Sequence, residues 1–456
     1  MARVLAFDVG TSSVRARLYD ERGLHVEGVE AKERYTAARG HSGRIGEFDA
    51  DELVEATRDA VDEARREAGG PVDAVGSSCF WHSLLAVGAD GRALAPVQTW
   101  RDVRSAAEAD ELGSLLGRRA VHGRTGAPLH PSFWPAKLLW LRRHDPELFA
   151  GAARFLHFSD YLLGRLAGAT RTSLSMASGT GLLELATSTW DPELLQVIGL
   201  EPDRLPEISD EPAGRDEPWF PPLGDGAASN LGVGCVTPDR AALMVGTSGA
   251  YRTVSGERPP VRAGLFVYRV DSARWVQGGS ISDGGNLHDW LERTLAETDT
   301  SGLADEPADG HGLTFLALLG GERSPGWNAR ARGAVAGLTF ATEPRDLVQA
   351  ALEGVAFRFA EIADLMPEVR EVVATGAGLL KNPDWAQIVA DVLGRAVTAS
   401  GVEEGSARGA AVAALERLRA TPVEAPLGRV FEPRSERTQA YAAARERQRA
   451  LYRALA

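Results

Sequence analysis

Short apolar runs alternate along the chain with stretches of helical periodicity. Val4-Leu5-Ala6-Phe7 predicts a strand, and Val14-Arg15-Ala16-Arg17-Leu18-Tyr19 predicts its partner across the turn Asp8-Val9-Gly10-Thr11-Ser12-Ser13. After Asp49, apolar residues recur at Leu53, Val54, Ala60, Val61 and Ala64, the spacing of one helix face. Asp49 suits the N-cap, and Glu52 three positions on completes a capping-box-like pattern. Residues 72–79 predict a further strand ending at Phe80-Trp81-His82-Ser83. Residues 84–87 read as the next apolar run, with a turn at Asp90-Gly91, and 134–143 as a helix. In the second half, Ala241-Ala242-Leu243-Met244 runs into Val245-Gly246-Thr247-Ser248-Gly249, an echo of the first hairpin. Strands alternating with helices predict an α/β protein.

Breaks in the pattern suggest the organisation. Residues 211–224 carry four prolines, which helix interiors and central strands reject, and read as the boundary between two halves. Residues 298–312, rich in Asp, Gly and Thr, read as a surface loop. The charged, alanine-rich tail places Ala440, Ala443, Ala444 and Leu451 on one helix face.

At roughly 150 residues per domain, 456 residues allow two large domains or three ordinary ones. A net charge of −13 argues against nucleic acid or an anionic membrane surface as partner. It also means that an anionic substrate needs a local basic pocket. Cys79 and Cys235 support no disulfide framework and no metal motif, which suggests a reducing compartment. With no signal-peptide pattern and no apolar run near the roughly 18 residues that span a bilayer, the expected location is cytoplasmic. A homodimer is compatible with the sequence, which does not fix the oligomer. Lysine occurs only at positions 32, 137 and 381, so no Gly-Lys-Ser/Thr phosphate loop exists.

Any nucleotide is therefore held another way. Small residues at a hairpin tip let backbone N–H and hydroxyl groups approach an anion closely. One Gly-Thr-Ser turn is weak evidence, because many hairpins carry it without a ligand. Two at equivalent places in two halves suggest a nucleotide held between them, and so phosphoryl transfer.

These residues resemble the FGGY carbohydrate kinases. Phe7 to Ser13 is similar to their first phosphate motif, and Met244 to Ala250 to their second. Trp100-Arg101-Asp102-Val103-Arg104 matches Trp-x-Asp-x-Arg, and the segment from Gly224 through Asp225 and Ala227 to Gly232 matches Gly-Asp-x-Ala-x-x-x-x-Gly. Thr375 to Gly394 resembles their adenosine motif, with Ala377 where a second consecutive glycine is common. The resemblance implies an actin-like, ribonuclease H-like fold of two domains, 1–235 for the sugar and 236–456 for the nucleotide, with ATP and sugar meeting in a central cleft. Around His82, Thr125, Ser229 and Gly321 the pattern looks most like the gluconokinase branch; xylulokinase-like members share the layout. Relatives usually carry a longer segment before Asp225, which here implies a less rigidly held aspartate. Small residues over 224–234 suit a hinge.

The expected activity is ATP-dependent phosphorylation of a sugar or sugar acid, foremost gluconate. Xylulose or another pentulose or polyol, and a catalytically weak sugar-binding member of the fold, are the alternatives. By resemblance Asp225 is the general base, although an aspartate between glycines is also a common turn residue. Asp8 and Asp225 are implied for Mg²⁺, which takes few protein carboxylates. His82, Ser83, Trp100, Asp102 and Arg104 are the implied sugar-binding residues. Trp100 also reads as core and Arg104 as an ion-pair residue, while Lys137 is a second candidate for a substrate carboxylate or a solvated helix face. Gly10, Thr11, Ser12, Ser13, Gly246, Thr247 and Ser248 are implied for the ATP phosphates. Gly321, Gly376, Ala377, Gly378 and Asn382 are implied for the adenosine.

Overall fold

The computed structural model describes residues 2–35 and 46–455. In the strand Val4–Val9 every residue but Asp8 is fully buried, as a strand covered on both faces must be. It pairs antiparallel with Ser13–Tyr19, setting Val9 opposite Val14, and parallel with Ala74–Cys79, setting Asp8 opposite Ser78. His25–Arg34 and Leu223–Gly224 complete a five-stranded sheet at its two edges.

A second sheet repeats this plan. Arg240–Val245 pairs antiparallel with Gly249–Ser255, which pairs with Trp275–Ile281, and parallel with Glu371–Thr375, which pairs with Val397–Ser400. Phe266–Arg269 and Leu427–Phe431 extend it to seven strands. The two Gly-Thr-Ser hairpins are therefore equivalent elements of a duplicated α/β unit.

The helix Ala50–Ala68 covers the first sheet with Leu53, Val54, Thr57, Ala60, Val61 and Ala64. Asp49 caps it, accepting from the N–H groups of Asp51 and Glu52, and left-handed Gly69 ends it. The helices Pro344–Asp364 and Pro383–Leu393 fill the same role over the second sheet. The helix Gly405–Arg417 follows strands of the second sheet yet packs on the first. Ala407, Ala410, Ala411, Ala414 and Leu415 join Val4, Ala6, Tyr19 and Ala74 in one cluster.

That crossing corrects the expectation of a hinge over 224–234. Asp225–Gly232 is a helix, and it meets Gly405–Arg417 with backbone against backbone. A Cβ on Gly232 would overlap the Gly405 carbonyl, and one on Gly409 the Ala228 carbonyl. Arg408 locks the contact, donating from Nη1 to Gly232 O at 2.6 Å and from Nε to Gly23 O at 3.0 Å. A hydrogen-bonded helix cannot absorb backbone rotation at this contact. Gly409→Ala is expected to destabilise the protein by roughly 1–3 kcal/mol, as overpacking does, read as a lowered denaturation midpoint.

Residues 211–224 are no free linker either. Pro218 O accepts from Val75 N, Phe220 N donates to Val75 O, and Trp219 is buried, so the proline-rich stretch lies along the sheet edge. In the loop 298–312, Leu303 and Ala304 are core residues. The C-terminal helix Ser435–Leu455 buries Tyr441, Ala444 and Gln448, so the packed face is rotated from the one expected: Ala443 is exposed. Among the described residues, no helix is long and apolar enough to cross a membrane.

Candidate active site

Asp225 opens the helix Asp225–Gly232 at the end of the edge strand Leu223–Gly224. Both flanking glycines are required. A Cβ on Gly224 would fall inside the Trp81 indole, and one on Gly226 would strike Nη1 of Arg252. Gly224 N donates to Ser175 Oγ at 3.1 Å, and Gly226 N to Asp225 Oδ1 at 2.8 Å. The backbone on both sides of Asp225 is thus closely packed, and its carboxylate accepts from the neighbouring Gly226 N–H. Burial pushes its pKa up, and Arg252, Gly226 N–H and Arg323 pull it back.

Asp225 faces a cavity of about 40 Å³ lined from both halves of the chain, by Trp81, His82 and Trp100 on one side and Arg252, Tyr268 and Arg323 on the other. His82 holds a left-handed backbone, φ 69°, uncommon for a residue with a Cβ. Its Nδ1 lies 2.6 Å from Gly179 O, and Nη2 of Arg323 lies 3.3 Å from its Nε2. Burial and the Arg323 charge hold its pKa well below the ordinary value, so the ring is neutral, donating through Nδ1 and accepting through Nε2. The guanidinium of Arg323 stacks 5.0 Å from the Trp100 ring centre.

The other residues expected at the sugar lie outside the cavity lining. Ser83 Oγ accepts from Phe158 N at 3.1 Å and sits 3.4 Å from His157 Nδ1. Arg104 is engaged by Asp102, with Nε 2.9 Å from Oδ1, and by Glu47, and it lies over the Trp140 ring. Lys137 is neither solvated nor free for a ligand: buried, it donates to His82 O at 2.9 Å and Thr99 O at 2.8 Å. Burial lowers its pKa to about 7. It ties together the two loops that carry His82 and Trp100.

The second hairpin reaches this cavity through Ser248 and Gly249, and Asp8 beside the first feels the charge of Asp225. Gly10 N donates to Ser13 O at 3.0 Å and Gly246 N to Ser248 O at 2.9 Å, so the second turn closes one residue tighter than the first. Ser12 and Thr247 are exposed at the tips, with Thr11 and Ser248 half-buried and Ser13 buried. The helix Gly285–Thr294 starts against the second tip, where Asn286 N donates to Thr247 O at 3.1 Å. Asp8, at the end of its strand, accepts from Ser78 Oγ at 2.7 Å. Burial, with Asp225 and Glu404 nearby, pushes its pKa up to about 7.

A carboxyl raised in this way holds a proton that the unfolded chain has released, so its contribution to stability is lost as pH rises toward 7. Asp8→Asn is therefore expected to raise the melting temperature more at pH 8 than at pH 5. An equal change at both values would contradict a strained Asp8.

Gly376 and Gly378 press on the end of the strand Arg240–Val245: a Cβ on Gly376 would overlap Val245 O, and one on Gly378 would lie 2.7 Å from Val245 Cγ1. Ala377 between them is exposed, so its methyl group leaves this packing alone. Asn382 spends Oδ1 on Trp385 N and Nδ2 on Thr300 Oγ1, both at 3.0 Å. Gly321, left-handed at φ 77°, shapes the loop that presents Arg323. Outside the cleft, Asp309, His311 and Glu353 cluster, but the His311 Nε2–H donates to Glu353 Oε2 at 3.0 Å and Tyr441 O–H donates to Oε1 at 3.0 Å. That network anchors the C-terminal helix.

Arg252, Tyr268 and Arg323 were missed by sequence reasoning. The available signal for Arg252 was its place in strand alternation with Ser248 and Ala250; Arg323 stood in a segment noted only for its likeness to one branch.

The N-terminal domain model of the FGGY family of carbohydrate kinases matches residues 3–213, and the C-terminal domain model matches 241–416. The chain belongs to the FGGY family of carbohydrate kinases. It is similar to a gluconokinase from Bacillus subtilis (strain 168), 28% identical over 450 residues that cover 90% of this chain and 87% of the relative. It is also similar to a xylulose kinase from Escherichia coli (strain K12), 31% identical with 99% of each chain covered. The solved gluconate kinase from Lactobacillus acidophilus superposes with a TM-score of 0.88 at 27% identity, covering 100% of this chain and 98% of the other. This FGGY kinase is thus a phosphotransferase that uses ATP and a small sugar-type acceptor.

Proposed function

We propose that this kinase transfers the γ-phosphoryl group of ATP to a hydroxyl of a sugar acid, foremost gluconate to 6-phosphogluconate. The observation that carries this reading is the cavity's charge: Asp225 faces two buried arginines, Arg252 and Arg323, while His82 is neutral. A site with surplus positive charge in a chain of net charge −13 suits an anionic acceptor. Asp225 takes the proton as the acceptor hydroxyl attacks phosphorus. His82 and Trp100 form a wall of the acceptor pocket. Gly10 and Gly246 keep the hairpin tips open to the phosphates, and the N–H and hydroxyl groups of Thr11, Ser12, Ser13, Thr247 and Ser248 grip them, gathering charge that builds on the transferring group. The turn Gly376-Ala377-Gly378, with Asn382 and Gly321, receives the adenosine.

Asp8 and Asp225 fit Mg²⁺. Both carboxyl groups have raised pKa values, the Asp225 charge adds to the rise at Asp8, and a dication would relieve that repulsion. Asp8 and Asp225 would hold the ion, which would supply positive charge to offset the negative charge of the phosphates. The sugar-side and nucleotide-side domains divide at 235/236, and the enzyme works in the cytoplasm.

A pentulose acceptor such as xylulose is the second reading, favoured by the 31% identity to a xylulose kinase. ADP release measured against gluconate, xylulose, ribulose, glycerol and erythritol separates them. Highest kcat/KM for gluconate is expected; highest for xylulose would establish the second reading.

A further inference from the structure

Arg104, Lys137, Arg323 and Arg252 are cationic side chains in or beside the acceptor pocket, and the first two are already committed. Arg104 is neutralised by Asp102 and Glu47, and Lys137 serves two backbone carbonyls. Arg323 lies in the cavity but spends Nη2 on His82 and its flat face on Trp100. Arg252 differs from all of these. It is 4% exposed, and its Nε and Nη2 have no hydrogen-bond partner. Those two N–H groups form the side-on edge of a guanidinium, the geometry that binds a carboxylate through two parallel hydrogen bonds. Leaving such an edge buried and unpaired is costly unless a ligand pairs it.

The sheet explains how the edge comes to face the cavity. Ser248, Ala250 and Arg252 alternate onto one face and all line the cavity. Gly278 pairs with Arg252 across the ladder, and a Cβ there would lie 2.7 Å from Arg252 Cγ, so the glycine makes room for the arginine's stem. Ser248 belongs to the phosphate hairpin, and four residues of strand put Arg252 roughly 13 Å further along. An acceptor lying on this face meets the phosphoryl group at one end and a guanidinium at the other. Resting on the sugar-acid reading above, we infer that Arg252 selects carboxylate-bearing acceptors by receiving the carboxylate on its Nε–Nη2 edge, with Arg323 as a second cation lining the same cavity.

Gluconate and glucitol provide the test, because they differ only in a carboxylate against a hydroxymethyl group. Titration calorimetry and kcat/KM are measured for both with the natural protein, Arg252→Gln and Arg252→Lys, with near-ultraviolet circular dichroism to verify folding. The natural protein should prefer gluconate, and Arg252→Gln should reduce that preference by roughly 10²–10³-fold, the scale for truncating one side of a buried charge pair. Arg252→Lys should restore part of it, and it serves as the deciding variant if the glutamine form does not fold. A preference unchanged in the variants, or equal losses for both acceptors, overturns the assignment; equal losses would move Arg252 to the phosphoryl group. Absence of any gluconate preference in the natural protein would overturn the sugar-acid reading and this inference together.

Discussion

Asp225→Asn is expected to lower kcat by roughly 10²–10⁴-fold, the usual range for loss of a positioned general base. The substitution is nearly isosteric, and an amide oxygen can still accept from Gly226 N–H, so the helix start and the glycine contacts with Trp81 and Arg252 persist. Gluconate binding by calorimetry should survive while turnover collapses. The proton acceptor is what is lost. The variant also removes the Asp225 charge that acts on Asp8, and its pH profile should lose the limb set by Asp225. Near-normal turnover would remove Asp225 from the chemistry.

Gly10→Val is expected to weaken MgATP by roughly 10²-fold or more, the scale on which small misplacements at such sites act. The fold should tolerate it. A Cβ at Gly10 meets only Ser13 O, at 3.3 Å, and the backbone there is not left-handed. A branched side chain at the hairpin tip would stand where a phosphate approaches the N–H groups. Separate titrations with MgATP and gluconate decide the point: nucleotide binding should fall while sugar-acid binding persists. Unchanged nucleotide affinity would make this hairpin a purely structural turn.

The parts of the fold written in local chemistry were legible in the sequence. The hairpins follow from apolar runs around Gly-Thr-Ser turns, and the helix after Asp49 follows from its cap and its face. What the sequence concealed was long-range. The return of Gly405–Arg417 to the first sheet depends on Gly232, Gly405 and Gly409 letting two backbones touch, and nothing local distinguishes those glycines from loop residues. The hinge expectation failed for the same reason. Lys137 reads as a solvated lysine until the two carbonyls that need it are seen.

The site divides in the same way. Motifs bring Asp225, His82 and Trp100 to one cavity, and the structure places all three in its wall. Asp102 and Arg104 belong to a matching motif but pair with each other, and Arg104 also pairs with Glu47. Arg252 and Arg323 reach the cavity only through sheet alternation and a loop held by Ser280, relationships that no short pattern encodes.

Phosphorus NMR of the purified protein with MgATP and gluconate tests the central claim most directly. The account predicts a new phosphomonoester signal growing in step with ADP, little inorganic phosphate, and loss of that signal in Asp225→Asn. Inorganic phosphate appearing in place of the ester, or an ester formed from xylulose but not from gluconate, would contradict it.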